Sequence, residues 1–291
     1  MVYSTNNLSI IGFNIVDNKK MIEIQKAHNK RIINFRHYFD HENKRDLVIS
    51  LSEEINYLKL WNANNWDLLL ILEHDNYYNS NSYLACFLND NHINYIVISD
   101  YIKPKLIQVY NFECQKVKDI NSLETVSYCI DSYYDKKMLS NYIIFASDNM
   151  IVSYDFNFNK IYHNYTFENQ KKYTTFVINN NNGKLILIGG SSYGYIVIWD
   201  FHNGEVLKSI IVSENYKINT ICLWNNEYLY AGCNDKLVKL VDIINKKVVI
   251  NLRECDNEIL TLKKIYHPKY GECLISQSWN WENIKLWVKD K

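Results

Sequence analysis

The sequence predicts an all-β protein made of repeated antiparallel sheets, and three observations carry this prediction. Short apolar runs, rich in Ile, Val, Tyr and Phe, recur along all 291 residues and are separated by polar clusters. No stretch keeps the apolar period that is typical of an amphipathic helix. One segment with a shared ending returns at nearly constant spacing, which indicates an internal repeat.

The repeated segment is clearest at Tyr195–Asp200, with the sequence YIVIWD. Its copies share an aromatic residue or Val at the penultimate position, 42 to 49 residues apart. These positions are Val16, Trp61, Tyr110, Tyr154, Trp199, Val241 and Trp287. Seven such copies predict seven equivalent strands in successive repeats.

Each copy is flanked by three further apolar runs. Around Tyr195–Asp200 these are LILIG at 185–189, EVLKSII at 205–211 and INTICL at 218–223. Four strands in a unit of about 40–45 residues correspond to one blade of a β-propeller. The sequence therefore predicts a β-propeller of four-stranded antiparallel blades, in which the recurring segment is the third strand.

The two ends of the chain predict incomplete blades. Met1–Ser4, Gly12–Val16 and Met21–Lys26 match second, third and fourth strands, and the last blade ends at Trp287. We therefore expect seven blades with an incomplete first and last blade; the alternative is six blades with an N-terminal extension. Open edges of this kind predict strand completion by a partner or by a missing segment.

The chain resembles the WD-repeat β-propellers over essentially its whole length, and residues 1–291 are identified as one such domain. The best match is 184–212, where Trp199–Asp200 closes the third strand, and His28 fits the family's His position. Among the seven repeated strand endings, only Trp199–Asp200 is a true Trp-Asp pair. Turn aspartates occur at Asp100, Asp148 and Asp235, but no blade is expected to hold a complete His–Asp–Ser–Trp network.

Composition excludes several classes of protein. The 32 basic and 32 acidic residues give no net charge, so we expect neither nucleic acid nor an anionic membrane as partner. No apolar run approaches the ~20 residues that span a bilayer, and the N-terminus has no signal-peptide pattern. The seven cysteines form no CxxC pair, and Cys86, Cys129, Cys222 and Cys273 lie in apolar stretches. Buried thiols in the cytoplasm are expected rather than disulfides or zinc, with the nucleus as an alternative location.

No motif in the sequence indicates catalysis. Gly189–Gly194 resembles a phosphate-binding loop but lacks its Lys and precedes a predicted strand, so a turn between two strands is expected. His37 and His41 have the spacing of helical metal ligands but lie where a strand runs into a loop. We expect no enzyme activity, no cofactor and no metal site.

The resemblance implies that partners bind the face formed by the loops between second and third strands and between blades. Several of these loops carry aromatic or basic side chains of the kind that dominate protein interfaces. The candidate partner-binding residues are Trp279, Trp281, Tyr77, Tyr78, Tyr101, Tyr193, Arg31 and Lys236.

The predicted function is a non-enzymatic scaffold that binds other proteins through this loop face. One alternative is a propeller module cut from a larger regulatory or enzymatic protein. A second is a phosphoinositide-binding propeller, but members of that family carry a Phe-Arg-Arg-Gly motif and this chain has no adjacent arginines.

Overall fold

The computed structural model describes residues 2–6, 8–17, 19–53, 57–73, 83–100, 106–121, 128–168, 172–181, 183–253, 257–278 and 284–288. The chain divides into two compact units. The first unit contains Met1–Phe145 and Ser153–Ile161, and the second contains Ala146–Val152 and Tyr162–Lys291. The described residues contain strands and turns but no helix, and hence no helix that could cross a membrane.

The strands form seven antiparallel sheets in which neighbours in sequence are neighbours in the sheet. The first sheet has three strands: β1 (Val2–Asn6), β2 (Ser9–Phe13) and β3 (Lys20–Ile24). The next has four: β4 (Ile32–Asp40), β5 (Arg45–Ser52), β6 (Tyr57–Asn62) and β7 (Asp67–Glu73). It is followed by β8 (Tyr83–Asp90), β9 (Ile93–Asp100), β10 (Leu106–Asn111) and β11 (Lys116–Asn121).

The remaining sheets continue the same order. The fourth contains β12 (Cys129–Asp135), β13 (Ser140–Ala146), β14 (Ile151–Asp155) and β15 (Lys160–Tyr165). The fifth contains β16 (Tyr173–Asn181), β17 (Lys184–Ser191), β18 (Tyr195–Asp200) and β19 (Val206–Ile211). The sixth contains β20 (Ile218–Leu223), β21 (Tyr228–Cys233), β22 (Val238–Asp242) and β23 (Lys247–Leu252). The last contains β24 (Ile259–His267), β25 (Gly271–Ser278) and β26 (Ile284–Trp287).

The predicted fold class, an all-β propeller of four-stranded antiparallel blades, is confirmed. Six blades are present: the five four-stranded sheets and β24–β26, which has three strands among the described residues. First strands of successive blades lie side by side, β4 by β8 and β8 by β12 in the first unit, β16 by β20 and β20 by β24 in the second. The sheet β1–β3 is an N-terminal extension, so the structure has the six-bladed alternative and not the seven blades that we expected first.

Six of the seven repeated positions lie in third strands, as the spacing predicts. In four of these blades, the pairing of third and fourth strands shifts register directly before this residue. The four residues are Trp61, Tyr110, Trp199 and Val241.

The assignment of Val16 to this column is wrong. In β1–β3 the same register shift lies between Gly12 and Phe13, which makes Phe13 the equivalent residue. The strand ends there because Asn14 accepts the Val16 N–H with its side chain and donates its own N–H to Lys19 O. Val16 is consequently in an exposed turn. A short polar side chain that bonds to its own backbone competes with strand pairing in this way.

The hydrophobic core lies between blades that follow each other in sequence. In the second unit, Ile188 and Ile198 of one blade pack with Leu229 and Val241 of the next, and all four are buried. Apolar side chains on both faces of the blade are required because neighbouring sheets cover both faces. The four central residues of β18 are accordingly all buried.

The first unit is packed by the same rule. Leu60 and Leu72 of the blade β4–β7 share a cluster with Ile96 and Tyr110 of the blade β8–β11. A second cluster joins Ile10 of the N-terminal sheet to the other face of the blade β4–β7. The N-terminal extension therefore covers apolar surface of the blade β4–β7.

Trp199 is the largest of the fully buried side chains. Its ring meets those of Tyr165 and Tyr173 edge to face, at centroid distances of 6.1 and 5.5 Å. Tyr165 belongs to β15 of the preceding blade, and the indole N–H donates to the carbonyl of Thr166 at 3.0 Å. The expectation that Trp199 is buried against a neighbouring blade is confirmed.

The indole N–H of Trp61 has a different hydrogen-bond acceptor from that of Trp199. Its Nε1 donates to Ser50 Oγ at 2.8 Å, and Ser50 is also hydrogen-bonded to His28 Nε2 at 2.7 Å. His28 and Ser50 are fully buried. Hydrogen bonds thus join His28, Ser50 and Trp61 within this blade.

Trp287 resembles Trp61, because its indole N–H also donates to a serine of the second strand, Ser276 Oγ, at 2.8 Å. In the blade β16–β19 Gly189 takes the place of this serine. A Cβ atom at Gly189 would lie 2.9 Å from the Trp199 ring and 2.6 Å from Ile151. The indole N–H thus bonds to a hydroxyl where this second-strand position is serine, and to a backbone carbonyl where it is glycine.

The six cysteines that the structure describes are free thiols. Cys86, Cys222 and Cys273 are buried, as expected, whereas Cys129 is half-buried. Burial raises the pKa of the Cys233 thiol to about 12, with Asp235 adding to the shift and Lys239 opposing it. Such a thiol stays protonated and behaves as a small apolar group.

Truncating Trp199 tests the packing between blades. We expect Trp199→Ala to lower the free energy of unfolding by about 3–5 kcal/mol, because it leaves a cavity and removes two ring contacts. Denaturant titration measures this loss, and Val249→Ala, at an exposed position, serves as the control with an expected change within about 0.5 kcal/mol. Equal effects of the two substitutions would contradict the packing described here.

Removing the serine acceptors tests the polar networks. Ser50→Ala should cost about 1–3 kcal/mol, because it leaves the Trp61 N–H and His28 Nε2 buried without their partner. Ser276→Ala is the matched control and should cost less than half as much, because Trp287 is only half-buried. A larger loss at Ser276, measured by the same titration, would show that burial does not set the cost.

Candidate functional site

The structure describes three of the eight predicted binding residues: Arg31, Tyr193 and Lys236. The other five lie outside the described residues and stay predictions. They are Trp279, Trp281, Tyr77, Tyr78 and Tyr101.

Arg31 lies in the first unit and already has a partner in its own blade. Its guanidinium forms an ion pair with Glu53, and the Glu53 N–H donates to the Arg31 carbonyl at 2.8 Å. This ion pair connects the segment that precedes β4 to the turn that follows β5. The charge of Arg31 is therefore balanced within its own blade.

Tyr193 and Lys236 lie in the second unit, in turns that meet one connecting segment. We call this region the turn surface and define it by Ser191–Gly194, Val212–Lys217 and Cys233–Lys236. The Val212 N–H donates to the Gly194 carbonyl at 2.9 Å, and the Asn234 N–H donates to the Lys217 carbonyl at 2.9 Å. Backbone hydrogen bonds thus join both turns to the segment between β19 and β20.

Gly194 permits the close approach of these backbones. Its φ angle is +82°, and a Cβ atom there would lie 1.6 Å from the carbonyl oxygen of Ser213. Only glycine tolerates both conditions without strain. The Gly-rich stretch 189–194 therefore forms a strand end and a turn, as the sequence predicts, and not a phosphate-binding loop.

Two tyrosines project from the turn surface. Tyr193 is 49% exposed and Tyr216 is 51% exposed, and they come from segments that touch through Gly194. Sequence reasoning missed Tyr216. The available signal was an aromatic residue within the polar stretch SENYK, where a connection between strands needs no large ring.

A buried polar network holds the turn surface in place. Asp235 accepts a hydrogen bond from Ser213 Oγ at 2.7 Å and an ion pair from Lys239 Nζ at 2.5 Å. Lys239 also donates to Ser213 Oγ at 2.8 Å and to the Val212 carbonyl at 3.2 Å. Lys239 is 7% exposed, and these partners satisfy the hydrogen-bond donors of its buried ammonium group.

The charges on the turn surface have both signs. Lys236 and Glu214 are exposed, and Lys217 is half-buried. Burial lowers the pKa of Lys217, the neighbouring Lys172 lowers it further, and Glu258 opposes the shift. Exposed aromatic rings among mixed charges are typical of a surface that binds protein.

Among the described residues, no group of three or more His, Cys, Asp or Glu side chains is placed to hold a metal ion. His37 lies on β4 and bonds to Asp46 at 2.6 Å, while His41 is in the following turn. Ser213 contacts both a lysine and an aspartate, but it is 4% exposed and its neighbours are structural.

The chain matches no protein-family model, and a search of curated proteins found no significant similarity.

Breaking the buried network tests its structural role. We expect Lys239→Met to lower the free energy of unfolding by about 3–5 kcal/mol, because it leaves Asp235, whose side chain is 13% exposed, without its cation. Lys236→Met is the matched control and should change stability by about 0.5 kcal/mol or less, because Lys236 is exposed. Similar stabilities of the two variants in denaturant titration would contradict the network's role in holding the turns.

Proposed function

We propose that this chain is a non-enzymatic scaffold of the WD-repeat type that binds another protein through the turn surface. The observation that carries the proposal is the pair of half-exposed tyrosines, Tyr193 and Tyr216, on turns held by the buried network around Lys239. Rigid aromatic side chains lose little entropy on binding, so they contribute strongly to interfaces.

The WD-repeat assignment rests on the residue pattern and on the His28–Ser50–Trp61 network in the blade β4–β7. In this network a buried indole and a buried imidazole share one hydroxyl, which connects the segment before the first strand to the second and third strands. The six described cysteines are free thiols, four of them buried, which supports a reducing compartment such as the cytoplasm.

If the chain is instead a module of a larger regulatory or enzymatic protein, we expect the turn surface to be the binding site as well. In that case the partner of the turn surface is another segment of the same polypeptide. Protein recognition by Tyr193 and Tyr216 is common to both proposals. A phosphoinositide headgroup is less well supported, because Glu214 and the half-buried Lys217 leave few free cations on the turn surface.

The test places a photo-reactive phenylalanine analogue at position 193 and, as the matched control, at position 270. Tyr270 is also an exposed tyrosine in a turn between strands, at 46% exposure, but it lies between β24 and β25. In extract from the source cells, we expect a defined protein crosslink from position 193 and none from position 270.

The captured protein is then titrated against variants. Tyr193→Ala combined with Tyr216→Ala should weaken its binding roughly 30-fold or more, since each hot-spot aromatic contributes about 1–2 kcal/mol. Tyr270→Ala should leave the affinity unchanged. Equal crosslinking from both positions, or a double variant that binds normally, would overturn the proposal.

A further inference from the structure

A cavity in the first unit is not explained by the turn surface. Its volume is about 320 Å³, and it is lined by side chains of the first strands β4, β8 and β12 and of β13. The lining residues used below are Arg36, Tyr38, Phe87, Asp131, Tyr134 and Asn141. Its volume is at the lower end of the range for small-molecule sites.

Arg36 gives the cavity a cation. Its Nη2 donates to the Ile130 carbonyl at 3.3 Å, and its side chain also hydrogen-bonds to Cys129. Burial opposes the charged form of the guanidinium, whereas Cys129 and Asp131 favour it, and the net effect raises the pKa of Arg36 above its usual value. A guanidinium carries five N–H donors and recognises carboxylates in a fork-like, bidentate geometry.

Asp131 supplies an anion on the same cavity. Its side chain is exposed, and one of its oxygens, Oδ1, accepts the Ser132 N–H at 2.9 Å. Within the described part of the chain, no ion pair of 4.0 Å or less joins Asp131 to Arg36. The cavity thus holds a positive and a negative group that face the same space without contacting each other.

The remaining walls combine the amide side chain of Asn141 with aromatic rings. Asn141 donates its amide N–H to Asp90 Oδ1 at 2.8 Å and lines the cavity. The Oδ1 is the acceptor end of such an amide. Phe87 and Tyr38 stack with ring centroids 5.0 Å apart, and Tyr134 is 47% exposed. A ligand with donors at one end and an apolar side chain fits these walls.

We propose that this cavity binds a small zwitterion of the amino-acid type. The carboxylate bonds to the Arg36 guanidinium, the ammonium group lies between Asp131 and the Asn141 Oδ1, and an apolar side chain contacts the rings of Phe87, Tyr38 and Tyr134. Separated opposite charges favour a zwitterion over a simple anion, because Asp131 repels an anion that has no ammonium group. The inference is independent of protein binding by the turn surface.

The ligand test uses isothermal titration calorimetry with the full chain. The probes are L-phenylalanine, L-leucine, 3-phenylpropionate, 2-phenylethylamine and inorganic phosphate. We expect at least one amino acid to bind, and the analogues that lack the ammonium or the carboxylate group to bind at least tenfold more weakly. Absence of amino-acid binding up to roughly 10 mM, or equal binding of phosphate or 3-phenylpropionate, would overturn the proposal.

Two variants test which charged group of the ligand each cavity side chain binds. Arg36→Lys keeps the cation but loses the planar fork, and it should weaken amino-acid binding about tenfold or more. The control Arg253→Lys, at an exposed position of the other unit, should have no effect.

Asp131→Asn separates a binding role from a structural one. It should weaken binding of the amino acid while strengthening that of 3-phenylpropionate, because it removes the charge that attracts ammonium and repels carboxylate. A general disturbance of the cavity would weaken both ligands, and that result would contradict the proposed role of Asp131. Since Asp131 is exposed, this variant is expected to fold even if Arg36→Lys does not.

Discussion

Each blade of this protein must bury both of its faces, and the rest of the structure depends on that constraint. A four-stranded sheet with apolar side chains on both faces is unstable alone, because both apolar faces would be in contact with water. In the second unit the blade β16–β19 places Ile188 and Ile198 against the next blade, while Trp199 on the same strand as Ile198 reaches Tyr165 of the preceding one. A blade is therefore stable as part of a series, and the repeated sequence follows from this need.

The third strand is the place where the constraint is strictest. A large side chain at this position fills the space between sheets, but an indole brings an N–H that must be satisfied inside the core. Trp61 uses the hydroxyl of Ser50, which His28 shares, and Trp199 uses the Thr166 carbonyl. A register shift between the third and fourth strands directly precedes this residue in several blades, so the backbone has the same irregularity at the large side chain.

The two proposed recognition sites lie in different parts of the blades. On the turn surface, Tyr193 and Tyr216 lie on backbone that Gly194 and the Asp235–Lys239 ion pair hold in place. In the first unit, Arg36 and Asp131 lie on the first strands β4 and β12 and line a small cavity. In both places hydrogen-bonded neighbours fix the backbone that carries the proposed recognition groups.

The sequence by itself determined the blade pattern, because alternating apolar runs and a constant repeat spacing reflect local requirements of strands and turns. The same pattern found six of the third strands and the burial of Trp199. It failed at Val16, since the side chain of Asn14 ends the strand early through a contact that periodicity does not show. Only the tertiary structure showed six blades with an extension, the proximity of Tyr216 to Tyr193, and the cavity around Arg36. These features join residues that are distant in sequence, and their distances depend on how the sheets pack rather than on any local pattern.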